Sequence, residues 1–176
     1  YYSGKIDNVI MRIMDVLLSI PQMLLAISIV AALGNSLINL MVAVGVSSIP
    51  QYARIVRASV ISIKNQEFVE STRAIGSSDL RIIFKHVIPN CLAPVIVQAT
   101  LGIGLAILTA AGLSFIGLGI KPPTPEWGAM LSGSRTYIRD YTYMTLFPGI
   151  AIVITIFAFN VLGDGLRDAL DPKLKQ

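Results

Sequence analysis

The chain has 176 residues, of which 54% are hydrophobic and 14% charged, with a mean hydropathy of +0.71. Ordinary globular chains are about a quarter charged, so this composition excludes a water-soluble domain and points to a lipid environment. The net charge of +4 does not indicate nucleic acid, because the basic residues alternate with long apolar stretches instead of forming one patch.

Three runs carry no Asp, Glu, Lys, Arg or His: 16–53, 87–120 and 141–163. One crossing of the hydrocarbon core takes about 20 apolar residues. The first run therefore has room for two crossings and the others for one each, which predicts an all-α, polytopic bundle of four spans. Tyr1 to Asp15 comes first, with Ile6, Val9, Ile10, Ile13 and Met14 at helical spacing among Asp7, Arg12 and Asp15, an amphipathic lead-in. The first span is expected over Val16–Leu33, kinked at Pro21. Gly34-Asn35-Ser36 is the one polar turn in this run, so the chain returns over Leu37 to about Tyr52, and Arg54 and Arg57 mark the exit.

A polar island, 66–89, comes next. It reads as two short helices joined at Gly76, a left-handed C-terminal residue. Ser77, Ser78 and Asp79 are cap candidates for the second helix, and Pro89 is expected to end it. Lys64, Glu67, Glu70 and Arg73 form a charged stripe on the first helix. Leu92–Leu118 is the third span, in which Gly102, Gly104, Gly112 and Gly117 permit close helix approach. A loop over 120–142 and a fourth span, Tyr141–Gly163, complete the membrane part.

Basic residues give the orientation. Lys5, Arg12, Arg54, Arg57, Lys64, Arg73, Arg81, Lys85, Arg167, Lys173 and Lys175 fall in one class of loop. Lys121, Arg135 and Arg139 fall in the other. Positive residues are retained inside, so 66–89 and the C-terminus are expected in the cytoplasm, and 120–142 outside.

Glu70-Ser-Thr-Arg-Ala-Ile-Gly76, nine further residues, then His86-Val-Ile-Pro89 resembles the EAA loop of membrane subunits of ABC importers. That pattern is Glu-Ala-Ala, three residues, Gly, nine residues, Ile-x-Leu-Pro. Here Ser71-Thr72 replaces Ala-Ala and His86 replaces the first Ile. The wording around it, and GKIDNVIMRIMDVLLSIPQMLLA near the start, is similar to the dipeptide/oligopeptide/nickel branch, where a His at that place is usual. The resemblance covers essentially the whole chain and implies a type I importer permease-like bundle in the cell membrane. Family members carry about two more helices upstream, so the chain is expected to be part of a longer one. The resemblance implies two cytoplasmic ATPase subunits, a second permease and an extracytoplasmic binding protein as partners. It places Glu70, Ser71, Ala74, Gly76, Asp79, His86 and Pro89 at the ATPase contact. Phe68, Ile75 and Ile82 are candidate apolar contacts, with Arg73 and Arg81 as polar ones.

Within the spans Ser19, Gln22, Asn39, Gln98, Thr100, Thr109, Ser114 and Asn160 are polar and none is charged. Ion-coupled carriers need ionisable groups in the membrane, so the energy is expected from elsewhere. Gln98, Thr109 and Asn160 are the candidates for a translocation pathway. No Walker A motif, nucleophile–base pair or metal cluster is present in the sequence, so no enzymatic activity and no cofactor are expected. The lone His86 is read as structural or as an interface hydrogen bond, and Cys91 as a buried, inert thiol. For the outer loop two readings stand: Trp127, Tyr137, Tyr141 and Tyr143 form an interfacial aromatic belt, or a docking rim for a binding protein. Peptide is the expected solute, since the Met residues are scattered rather than clustered as a nickel path would have them. A non-transporting membrane scaffold is the alternative of another class.

Overall fold

The computed structural model describes residues 1–170, in which every regular element is helical. The order is α1 (Lys5–Leu18), α2 (Gln22–Leu33), α3 (Leu37–Lys64), α4 (Glu67–Ala74), α5 (Asp79–Ile82), α6 (Ile88–Phe115), α7 (Trp127–Ser134) and α8 (Tyr143–Leu170). Lys173 and Lys175, counted above for orientation, lie outside the described residues.

The first expected span is not a kinked helix. Ile20 is disfavoured from helical geometry by the proline after it, and Pro21 itself is extended at ψ 131°. The chain leaves the helix at Ser19 and turns by 89° between α1 and α2. Alone, the 12 residues of α2 extend about 18 Å, short of the ~30 Å hydrocarbon core. The hairpin tip is where the turn residues place it. Gly34 adopts φ 88°, and Ser36 Oγ accepts from the Asn39 N–H as the N-cap of α3. Asn39 Nδ2 donates to the Leu33 and Gly34 carbonyls.

Among the described residues two helical stretches are long and apolar enough to cross a bilayer, 79–115 and Tyr143–Leu170, and the bent α1–α2 pair would make a third. α3 falls outside that set because Asn39, Ser47, Ser48, Gln51, Arg54 and Arg57 dilute its apolar residues. It runs on to Lys64, so Lys64 is separated from the α4 stripe by the break at Asn65–Gln66.

Packing centres on α6, which lies against α8, α3 and α7. Small residues make the α6–α8 approach close. A Cβ at Gly104 would sit 3.1 Å from Ile156 Cγ2, and one at Gly163 2.9 Å from Leu101 Cδ2. One core joins α2, α3 and α6 through Ala26, Val30, Leu40, Ala43, Val44 and Leu113. A second lies at the other end, where Ile63, Val69, Ile82, Val87 and Cys91 bring α3, α4, α5 and the start of α6 together.

Candidate functional site

The polar island folds into a small platform. α4 ends in a Schellman motif: Ser77 N–H donates to the Thr72 carbonyl and Gly76 N–H to that of Arg73, with Gly76 at φ 82°. Ser78 occupies the N-cap of α5 but makes no side-chain cap bond. The second helix does not stop at Pro89. The stretch from Asp79 to Phe115 is continuous, and Ile83–Val87 adopts π geometry in which the Ile88 N–H reaches the Ile83 carbonyl. Widening the turn accommodates the proline, and Asn90 Nδ2 donates to the His86 carbonyl at 2.7 Å.

One face of this platform is core. Val69 and Ile82 are both 0% exposed, so Ile82 is unavailable as a contact for a partner, contrary to its place among the candidates. The apolar residues on the other face are Ile75, 82% exposed, Leu80, 64%, and Phe84, 67%. Glu70, Ser71, Ala74, Gly76, Asp79 and Pro89 are exposed as well, and His86 is half-buried. Ser71 Oγ returns to the Glu67 carbonyl at 2.8 Å. The His86 ring lies 6.2 Å from that of Phe68 and its nitrogens take no partner among the described residues.

Tyr1 joins the platform to the N-terminal segment, a link that no local pattern in the chain foreshadows. Arg73 Nη2 donates to the Tyr1 hydroxyl at 2.8 Å, and that hydroxyl donates to Asp79 Oδ1 at 2.9 Å. Two ion pairs then hold α1 along α3: Arg54 with Asp15 at 2.6 Å, and Arg57 with both oxygens of Asp7 at 2.8 and 2.7 Å. These pairs bring the lead-in to the same end of the bundle as the platform.

The three pathway candidates are not gathered at one place. Gln98 lines a small cavity with Gln22, Ser48, Gln51 and Tyr52. Thr109 Oγ1 turns back onto the Leu105 carbonyl, and Asn160 Oδ1 faces the α6 backbone at Gly104. Ser48, Gln51 and Tyr52 are hard to single out in the sequence because they are isolated polar residues near the end of a long apolar run. Their spacing of three and four is the signal that places them on one face of α3. A larger cavity of about 720 Å³ adjoins, walled mainly by apolar side chains of α1, α3 and α6. Among the described residues no three His, Cys, Asp or Glu side chains assemble as a metal site.

Residues 1–176 match the family described as binding-protein-dependent transport system inner membrane component. The chain belongs to this family. It is 53% identical over 175 residues to the dipeptide transport system permease protein DppC of Alkalihalophilus pseudofirmus, covering 99% of this chain and 58% of that protein. Glutathione transport system permease proteins GsiD of Escherichia coli and Shigella boydii are each 50% identical over the same span, with the same coverage. The chain thus spans 58% of the length of these permeases. As a member of this family with long apolar helices it is a multi-pass protein of the inner membrane.

Proposed function

We propose that this chain forms part of a permease subunit of an ATP-driven importer for short peptides, and that residues 66–89 are its contact with cytoplasmic ATPase subunits. The observation that carries the reading is the platform: Ile75, Leu80 and Phe84 stand out in a segment with its own small core, joined without a break to a membrane-crossing helix. A rigid joint of that kind transmits a rigid-body motion from a partner into the membrane. The relatives named above carry dipeptides and glutathione in their names, which favours peptide over nickel. Catalysis then falls to the ATPases, and this chain supplies half of the pathway and one coupling loop, beside a second permease and an extracytoplasmic binding protein.

Four crossings complete the proposal. The α1–α2 pair and α3 form an antiparallel hairpin closed at 34–36, followed by α6 and α8, with 66–89 and the C-terminus in the cytoplasm and 120–142 outside. The packing of α2 on α3 supports the hairpin, and the excess of basic residues at the platform end supports the orientation. The test is uptake of a labelled dipeptide into vesicles holding the complete importer. Gly76→Pro, which cannot adopt the positive φ of this cap, is expected to abolish ATP-driven uptake. Uptake indifferent to Gly76→Pro would leave the scaffold reading in its place.

A further inference from the structure

Gln22 on α2, Ser48, Gln51 and Tyr52 on α3 and Gln98 on α6 surround a cavity of about 70 Å³ at a three-helix junction, one turn before Arg54. Such a volume holds a few waters or one amide group. Its hydrogen bonding is half complete. Gln22 Nε2 donates to Ser48 Oγ at 2.9 Å, Ser48 donates onward to the Val44 carbonyl at 2.8 Å, and the Tyr52 hydroxyl reaches the Gln98 carbonyl at 3.4 Å. The carboxamides of Gln51 and Gln98 take no partner among the described residues. Gly102 makes room for Tyr52 here, because a Cβ at that position would collide with the Tyr52 hydroxyl.

Gln22 spends one amide hydrogen on Ser48, while the carboxamides of exposed Gln51 and half-buried Gln98 stay open, so the junction can meet a partner that supplies both a donor and an acceptor. A peptide bond is such a partner. It offers one N–H and one C=O, and a carboxamide meets both whatever side chains the peptide carries. Uncharged groups also hold the solute weakly enough to release it. The adjoining 720 Å³ cavity shares Ser48, Tyr52 and Gly102 with this site and gives apolar side chains somewhere to lie.

We propose that Gln22, Gln51 and Gln98 form a backbone-reading site for peptides in transit, recognising the amide group itself. This rests on the peptide-importer reading above. The test compares uptake of dialanine with that of its depsipeptide analogue, in which an ester oxygen replaces the N–H, by the complete importer in vesicles with the binding protein saturated by each solute. The wild type is expected to move the amide about tenfold faster, the worth of roughly one hydrogen bond, and Gln51→Leu/Gln98→Leu is expected to bring the ratio close to one. Equal rates in the wild type, or an unchanged ratio in the double variant, would overturn the site. If the leucine variant does not assemble, Gln98→Asn keeps the polarity but shortens the reach, and it too must lower the ratio. Absence of ATP-driven uptake of either solute by the wild type would remove the importer reading, and the site with it.

Discussion

Helices α4 and α6 both end on a left-handed glycine, Gly76 at φ 82° and Gly117 at φ 86°, with the same pair of Schellman hydrogen bonds. The two caps differ in where they send the chain. After Gly117 it folds back onto protein. Leu118 packs against the α2–α3–α6 core, Ser132 Oγ donates to the Phe115 carbonyl at 2.8 Å, and the Arg135 guanidinium lies 4.9 Å above the Phe115 ring. Gly128 allows α7 to touch α6 so closely that a Cβ there would stand 2.6 Å from Ala111 Cα. Around Gly76 the return is partial: Ile82 packs on Val69 and Tyr1 bridges Arg73 and Asp79, but Ile75 and Leu80 on either side of the cap stay exposed. One local backbone solution thus serves a closed joint at the far end of α6 and an open surface at its near end. Ile75 and Leu80 beside the cap are the exposed apolar surface at which the proposed ATPase contact would form.

Substitutions can break or sharpen this contrast. The largest effect is expected for buried groups. Ile82→Ala removes a fully buried side chain from the platform core and should cost roughly 2–5 kcal/mol, seen as a lower Tm of the purified protein in detergent. Gly128→Val should be of similar size at the closed joint, whereas Gly133→Ala, with nothing within 4 Å of its Cβ, should leave Tm unchanged. Next come the two caps. Gly76→Ala and Gly117→Ala should each cost about 1–2 kcal/mol, measured the same way, but only Gly76→Ala should also uncouple ATP hydrolysis from uptake. A matching loss of coupling from Gly117→Ala would erase the distinction drawn here. Smaller again, Ile75→Ser should change stability by less than about 0.5 kcal/mol while weakening capture of the ATPase subunits in a pull-down. The smallest effect concerns α1. The Arg57–Asp7 pair is partly exposed, so Asp7→Asn, which leaves Arg57 a neutral partner, should lower Tm only slightly.

Some of this is legible in the sequence for physical reasons. Gly34, Ser36 and Gly76 show through because left-handed turns and caps depend on residue type at one position. The apolar runs show through because crossing lipid depends on composition alone. Pro21 and Pro89 are harder. Both lack a donor and both are exposed, yet one follows an 89° elbow and the other is absorbed in a π turn. Ile82 and Ile75 look alike in the string, but only the tertiary contact with Val69, Val87 and Cys91 buries the former. The polar cavity is hidden because it draws single residues from three helices. Tyr1 is hidden because its partners, Arg73 and Asp79, lie more than 70 positions away.

The central claim is that the open surface around Gly76 meets the ATPases. Its most direct test is disulfide crosslinking in the complete importer, with Cys91→Ser as background and single Ile75→Cys or Leu80→Cys substitutions, against cysteines scanned along the facing cleft of the ATPase. The account predicts crosslinks from both positions whose yield changes on ATP binding, and none from Gly133→Cys at the far end. A functional importer that gives no crosslink from either Ile75→Cys or Leu80→Cys would contradict it.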